Sequence, residues 1–307
     1  MTGRVPEGSL WNGLLDDAAT FPPGKLPLGQ AVRAHLAHEL GPHAALVGPL
    51  VVAQADLPAL AELTADLPTG SLPLAVTVPA PENAALALDR AHAIGAVRLV
   101  GLEVAVPEGI AAEAVVPALD AAVGGVGRRN SRLDEEASSS NREFHRPAGE
   151  TPATVYVELP RDFRRGPLLE ELAGTPYLAK LRTGGVRADL HPDEAELAAA
   201  IVAAVTAGVP FKATAGLHHA VRNTDPATGF EQHGFLNLLV ATDAALDGAD
   251  AATVAGWLGE RDGRRLADRA AGLSPRARES FRSFGTCSID EPVAELAALG
   301  LLGEVVS

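Results

Sequence analysis

Short runs of apolar residues alternate along the chain with longer alanine- and leucine-rich stretches, a pattern that predicts parallel strands joined by crossover helices. Eight strands are predicted, at residues 11–18, 44–53, 72–79, 97–106, 153–159, 177–183, 209–216 and 281–289. Helices are expected at about 28–40, 57–66, 83–94, 110–123, 167–173, 192–207, 235–270 and 291–302. This count favours an α/β fold, a single (β/α)8 TIM barrel that spans residues 1–307. An open, doubly wound parallel sheet is the alternative.

Two segments depart from the alternation of strands and helices. Residues 124–152 are polar and poor in apolar side chains, so we expect a mobile, disordered insertion that the barrel core does not need. Residues 218–233 are rich in Asn, Asp, Pro and Gly, and they predict a long loop after the seventh strand. In a barrel that loop would lie on the catalytic face.

Charged residues occupy the strand positions that are predicted to face the barrel interior. In the sixth predicted strand, the apolar residues Tyr177, Ala179 and Leu181 share one face. Lys180 and Arg182 therefore point inward. The same alternation sends further polar side chains and loop residues inward: Glu103, Tyr156, Glu158, Lys212, Thr214, Gly216 and His218. Because unpaired buried charges are costly, this interior predicts either an active site at the strand ends or a structural network of ion pairs.

Lysine is rare in this chain, since only Lys25, Lys180 and Lys212 occur among 25 basic residues. An amine, unlike a guanidinium, can lose its proton and attack a carbonyl group. Lys180 and Lys212 are 32 residues apart, which is one βα unit, so we expect them on neighbouring strands. We also expect both lysines and Arg182 to converge at the carboxyl-terminal mouth of the barrel. Two ammonium groups held close together repel each other, and Arg182 adds to the repulsion. We therefore predict that the pKa of one lysine is lowered.

The segments Lys180-Leu-Arg-Thr183-Gly184-Gly185 and Phe211-Lys212-Ala-Thr214-Ala-Gly216 resemble the class I, Schiff-base aldolases of the deoxyribose-phosphate aldolase type. The resemblance covers about 40 residues, Leu178 to Leu217. It implies that Lys180 is the Schiff-base lysine and that Lys212 is its activating neighbour. The resemblance does not extend to the family's phosphate site after strands seven and eight, nor to its proton-relay aspartate. Glu103 or Glu158 is a carboxylate that could replace that aspartate.

The strings AKLRTGG, FKATAGLHH and FGTCSIDEP also look like a group of uncharacterised bacterial proteins, a resemblance that brings no activity with it. The candidate catalytic residues are Lys180, Lys212, Arg182, Glu158 and His218, the last as a general acid or base. The candidate substrate-binding residues lie at predicted strand ends and in adjoining loops: Asp16, Asp17, Glu103, Thr183, Gly184, Gly185, Thr214, Gly216, His219, Gly285 and Ser288. Cys287 is interpreted as a small buried residue in preference to a nucleophile.

Three functions fit this pattern. The leading hypothesis is a lyase-like enzyme that forms a lysine imine with a small carbonyl substrate and needs no cofactor. The second is a metal-dependent hydrolase or isomerase, in which His218 joins Asp16, Asp17 or Glu158 at a divalent ion. The third is a binding barrel whose interior charges are merely paired. An oligomer is possible with each of them.

Overall charge and apolar content exclude several other classes of protein, such as nucleic-acid-binding and membrane-spanning proteins. The net charge of −14 opposes non-specific attraction to nucleic acid or to anionic membranes. No apolar run approaches the ~18 residues that span a bilayer, and the first ten residues do not resemble a signal peptide. We therefore expect a cytoplasmic protein. The single cysteine, Cys287, excludes an intrachain disulfide and a cysteine-based metal site.

Overall fold

The structure is a computed structural model that describes residues 10–123 and 153–302, so the predicted insertion at 124–152 lies outside the described residues. Its strands are β1 Leu15–Asp17, β2 Val47–Ala53, β3 Leu72–Val78, β4 Val97–Val104, β5 Thr154–Glu158, β6 Leu178–Arg182, β7 Phe211–Thr214, β8 Asn223–Thr224, β9 Glu231–Gln232 and β10 Phe281–Thr286. Strands β1 to β7 pair in order, and β10 closes the ring between β7 and β1. All eight barrel pairings are parallel. The predicted TIM barrel is thus confirmed, and the open sheet is excluded.

Helices cover the outside of the barrel. They are α1 Leu28–Glu39, α2 Leu57–Leu63, α3 Ala84–His92, α4 over 112–123, α5 Arg165–Leu172, α6 Glu194–Thr206, α7 Phe235–Leu246, α8 Ala251–Leu258, α9 Gly263–Ala270, α10 Pro275–Ser280 and α11 Asp290–Ala298. In the described residues, no helix is long and apolar enough to cross a membrane.

The single helix predicted for 235–270 is wrong, because the chain breaks there into α7, α8 and α9. Gly248 has a φ of 86°, a left-handed conformation that ends the α7 region. The Asp250 carboxylate then accepts the amide proton of Thr253 at the start of α8. Asp262 accepts two amide protons at the start of α9 in the same way. Each aspartate satisfies amide groups that lack partners within the helix, and so it begins a new helix.

Strand ends also differ from the sequence prediction. The first strand begins only at Leu15, because Gly13 adopts a φ of 58° and interrupts the extended chain. Strand β7 ends at Thr214, since Ala215 and Gly216 both have left-handed backbones, with φ of 68° and 73°. The loop that follows β7 contains an antiparallel hairpin, in which β8 pairs with β9.

The apolar core lies between the strands and the helices rather than inside the barrel. Phe211 stacks on Phe281, with ring centroids 5.4 Å apart, and Phe284 stacks on Phe235 of α7 at 4.8 Å. All four side chains are fully buried, and each contributes about 1.5–3 kcal/mol to stability. Because the apolar residues face outward to the helices, the polar residues of alternate positions are left to fill the interior.

Candidate active site

A cavity of about 640 Å³ opens at the carboxyl ends of the barrel strands. Its floor is charged and is formed by Glu103, Glu158, Lys180 and Arg182. Its walls are mainly apolar and include Phe21, Val51, Val78, Val186 and Leu190. The carboxyl face of a TIM barrel is where such enzymes carry their active sites. This cavity, which we call the upper cavity, is therefore the candidate active site.

The charged residues of the interior form a continuous row of ion pairs. Lys180 Nζ lies 2.8 Å from Glu103 Oε2 and 3.0 Å from Glu158 Oε2. Arg182 donates from Nε to Glu158 Oε1 at 3.0 Å. Lys212 Nζ contacts the other oxygen of Glu103, and it also contacts Asp16. Positive and negative side chains alternate from Asp16 to Arg182. This confirms the inward direction predicted for Glu103, Glu158, Lys180, Arg182 and Lys212.

Lys212 does not lie in the upper cavity, contrary to the expectation that both lysines converge there. Its ammonium group lies below Glu103 and faces a second cavity at the other end of the barrel. Glu103 is only 3% exposed and separates the two ammonium groups. Only Lys180 of the two lysines lines the upper cavity.

The predicted lowering of a lysine pKa is wrong, because the carboxylates outweigh the repulsion between the lysines. Burial by itself lowers the pKa of Lys180, but the charges of Glu103 and Glu158 raise it above its ordinary value. The pKa of Lys212 is also raised, since Asp16 and Glu103 outweigh the effect of burial. Both lysines are therefore ammonium ions in the unliganded protein.

The same ion pairs shift the pKa values of the buried carboxylates. Burial would raise the pKa of Glu103, but Lys180 and Lys212 lower it to about 2. The pKa of Glu158 is lowered in the same way by Lys180 and Arg182. Asp16 differs, because burial outweighs its contact with Lys212 and raises its pKa. Glu103 is thus the most firmly ionised carboxylate of the row.

The Glu103 carboxylate is expected to make stability depend on pH in the acid range. Its pKa falls from an ordinary 4.5 to about 2 on folding, so its contribution is complete above pH 4.5 and is lost as pH falls towards 2. The free energy of unfolding, measured with urea, should decline in this window more steeply for the wild type than for Glu103→Gln. The exposed Glu171→Gln variant is the matched control. Equal slopes for wild type and Glu103→Gln would contradict the assignment.

The rim of the upper cavity carries a histidine and a cysteine. His218 Nδ1 lies 3.4 Å from Cys287 Sγ, and both residues line the cavity. Burial lowers the pKa of His218 and raises that of Cys287, so the contact joins a neutral imidazole to a neutral thiol. His218 can accept or donate a hydrogen bond to a bound molecule. Cys287 is only partly buried, which corrects the expectation that it is a small core residue.

Four further candidates line the upper cavity. They are Gly185, Thr214, Gly216 and Gly285. Gly216 has a left-handed backbone with a φ of 73°, a conformation that glycine adopts without strain. A Cβ atom at Gly184 would lie 3.0 Å from the Cα of Gly216. The absence of a side chain at Gly184 therefore permits the close approach of two loops.

Several sequence candidates do not line this cavity. Asp17 points towards the helices, where its Oδ2 lies 3.1 Å from Nδ1 of His35 in α1. Asp16 is buried in the barrel interior, where it accepts a hydrogen bond of 2.7 Å from Ser283 Oγ and contacts Lys212. Asp17 is thus a link between β1 and α1, and Asp16 belongs to the row of ion pairs.

Three other candidates hold loops in place. His219 Nδ1 lies 2.6 Å from Glu295 Oε1 of α11. The Thr183 hydroxyl donates to the Ala215 carbonyl at 2.7 Å. Ser288 Oγ accepts the amide proton of Glu291 at 3.3 Å, near the start of α11. Their contacts support the loops around the cavity rather than a substrate within it.

Sequence reasoning missed Ser283, which supports Asp16 from β10. The register of β10 shifts between Phe281 and Phe284, so the simple alternation of faces fails in that strand. Phe281 and Phe284 both pack outward, whereas Ser283 faces the interior. An irregularity of this kind has no signal in the pattern of apolar residues.

The proposed metal ligands are not brought together. His218 contacts Cys287, Asp17 contacts His35, and Asp16 and Glu158 contact basic side chains. In the part of the chain that the structure describes, no three His, Cys, Asp or Glu side chains are grouped as a metal site would require.

Comparisons with known proteins add little to this picture. No family model matches the chain, and no curated protein matches it. A solved structure titled "Crystal Structure of apo-MsnO8" is similar over 95% of this chain and 99% of that chain, with 12% sequence identity and a TM-score of 0.41. The assignment of the fold therefore rests on the strand order and the closed barrel.

Proposed function

We propose that this protein is an enzyme that acts on a carbonyl compound through an imine with Lys180. The observation that carries the proposal is the place of the Lys180 ammonium, on the floor of the upper cavity and within 3.0 Å of two carboxylates. Lys25 is exposed on the surface, and Lys212 lies beneath Glu103. Lys180 is thus the lysine that a bound carbonyl carbon can reach.

Imine formation requires that Lys180 first lose a proton. Both carboxylates line the cavity and contact two basic side chains, but Glu103 is the poorer proton acceptor, because Lys180 and Lys212 hold its pKa at about 2. Glu158, whose side chain is 19% exposed against 3% for Glu103, is the better acceptor. When a substrate displaces water from the cavity, the ammonium of Lys180 and the carboxylate of Glu158 lose solvation, and this loss favours the neutral forms of the two groups. The proton then moves along the 3.0 Å contact from Nζ to Glu158 Oε2, which leaves a neutral amine beside a carboxylic acid.

The same carboxyl group completes the reaction. The neutral amine attacks the carbonyl carbon and gives a carbinolamine. Glu158 returns its proton to the hydroxyl group, which leaves as water when the carbon–nitrogen double bond forms. The protonated imine withdraws electrons from the neighbouring carbon, so a bond to that carbon can break or form. Arg182, which holds Glu158 Oε1 at 3.0 Å, is the positioning residue for this carboxylate.

The shape of the upper cavity supports a substrate with an apolar part. Its volume of about 640 Å³ exceeds the needs of a two- or three-carbon aldehyde, and Val51, Val78 and Leu190 contribute apolar wall surface. Burial of apolar substrate surface contributes about 25 cal/mol per Å² to binding. We therefore propose a carbonyl group at the charged floor and an aliphatic or aromatic body against the walls.

Borohydride trapping tests this function. The wild-type protein is incubated with a panel of aliphatic and aromatic aldehydes and ketones, reduced with sodium borohydride, and digested for peptide mass analysis. We expect an adduct on the peptide that contains Lys180, with at least one apolar carbonyl compound. Lys25 is an internal control for non-specific reaction, because it is exposed. Labelling of Lys180 no greater than that of Lys25 across the panel would contradict the proposal.

The raised pKa of Lys180 favours a second candidate function. If Lys180 stays an ammonium ion, it can stabilise the negative charge that develops on a carbonyl oxygen, while Glu158 removes a proton from the adjacent carbon. This enzyme would exchange substrate protons with solvent but would form no reducible adduct. Deuterium exchange without borohydride trapping would favour this candidate over the imine.

A further inference from the structure

A second cavity, which we call the lower cavity, lies at the amino-terminal end of the barrel. It has a volume of about 320 Å³, and its lining includes Asn12, Tyr156, Lys212, Arg278 and Arg282. The contact between Lys212 and Glu103 separates it from the upper cavity. The lower cavity therefore has its own set of side chains, and the proposed reaction uses none of them.

Positive charge predominates in the lower cavity. Lys212, Arg278 and Arg282 line it, whereas Asp16 is the one acidic residue of the described chain that does so. Asp16 is already engaged by Lys212 and by the Ser283 hydroxyl. Lys212 in turn is neutralised by Asp16 and Glu103. The charges of Arg278 and Arg282 remain without a carboxylate partner among the described residues.

Arg278 is held so that part of its guanidinium stays free. Its Nη1 donates to the carbonyl groups of Phe281 and Arg282, and its Nη2 donates to the Asn12 carbonyl at 3.0 Å. Within the described chain, Nε–H and the second Nη2–H have no acceptor. Burial and, to a smaller extent, the nearby charge of Arg282 lower the pKa of Arg278 to about 10, although the charge of Asp16 opposes them. A bound anion would offset both effects.

Asn12 is one of the residues that line the lower cavity. Its side-chain oxygen is buried, is not exposed to the cavity and has no donor in the described residues, so it does not contribute to recognition of a bound anion. Recognition therefore rests on the two arginines. A doubly charged oxyanion such as hydrogen phosphate offsets both of their charges, whereas a simple carboxylate offsets one.

We propose that the lower cavity is a binding site for a small oxyanion of the phosphate class, held by Arg278 and Arg282. The fixed guanidinium of Arg278 supplies two directed donors, and Arg282 supplies charge from the rim. The proposal rests on the lower cavity alone and does not depend on chemistry at Lys180.

Calorimetric titration of the full chain with inorganic phosphate, at constant ionic strength, tests this site. We expect one phosphate per chain in the wild type, and weaker binding of acetate. Arg282→Gln should weaken phosphate binding by about tenfold, because a charge-assisted hydrogen bond contributes on this scale. Arg276→Gln is the matched control, since Arg276 is exposed on α10 and does not line the lower cavity. Its affinity for phosphate should equal that of the wild type.

Arg182→Gln separates the two ends of the barrel, because Arg182 lines the upper cavity. Unchanged phosphate binding in this variant supports the lower site. Three results would overturn the proposal: no phosphate binding by the wild type, equal losses in Arg282→Gln and Arg276→Gln, or loss of binding in Arg182→Gln but not in Arg282→Gln. Arg278 is left intact in these experiments, because it also joins three backbone carbonyl groups.

Discussion

Replacement of Lys180 by arginine is expected to abolish borohydride trapping and turnover while the barrel stays folded. Arginine keeps the positive charge that Glu103 and Glu158 require, so the buried carboxylates remain paired. A guanidinium cannot lose its proton near neutral pH, and so it cannot form an imine. The variant therefore removes the proposed nucleophile without removing the charge.

Adduct mass and turnover are measured for Lys180→Arg, for Lys25→Arg and for the wild type, using the carbonyl compound that traps best. Lys25→Arg should behave as the wild type does, and thermal unfolding should show that Lys180→Arg is folded. A folded Lys180→Arg protein that still forms a reduced adduct would refute the role of Lys180. A variant that retains turnover without trapping would instead support an ammonium that acts by its charge.

Replacement of Lys212 by methionine is expected to reduce the free energy of unfolding by about 3–5 kcal/mol. Lys212 is 1% exposed and contacts both Asp16 and Glu103, so its removal leaves a buried carboxylate without its cation. Protonation of Asp16 relieves part of this effect, because its pKa is already raised. Glu103 keeps one partner, Lys180, which lies 2.8 Å away.

Urea unfolding of Lys212→Met, with Lys25→Met as the control for loss of a surface charge, measures this loss. Adding Asp16→Asn to Lys212→Met should restore part of the stability, since it removes the unpaired carboxylate. A decrease below about 1 kcal/mol for Lys212→Met would show that the contacts are not stabilising.

The same variant is expected to change the pH dependence of borohydride trapping. In the folded fraction of Lys212→Met, trapping at Lys180 should persist but shift to higher pH, because Lys212 slightly lowers the pKa of Lys180.

The strands and their faces could be predicted because burial imposes a period of two on a regular strand. Val155 and Val157 face the helices, so Glu158 had to face the interior with Tyr156. The same period of two directs Lys180, Arg182 and Glu103 to the interior. A period of two does not determine the height of a side chain along the barrel axis, which depends on the stagger between strands. For this reason the sequence placed Lys212 in the upper cavity, although its ammonium group lies beneath Glu103.

The lysine pKa values were predicted wrongly for a related reason. Residue spacing showed that Lys180 and Lys212 are neighbours, as their direct pairing across β6 and β7 confirms. It did not show that Glu103, from a strand far away in sequence, inserts its two oxygens between them. The sign of a pKa shift depends on such third groups, which a local motif does not contain.

The row of ion pairs also constrains how the barrel folds. The first half of the chain supplies two carboxylates, those of Asp16 and Glu103. The second half supplies one carboxylate, that of Glu158, and all three cations of the row, Lys180, Arg182 and Lys212. The contact of Asp16 with Lys212 joins residues 196 positions apart, and that of Glu103 with Lys212 spans 109 positions. Neither half can neutralise these charges alone, so a half-barrel intermediate would hold unpaired charges at its centre. Contacts of such long sequence separation slow folding and form only at ring closure, which makes closure a highly cooperative step.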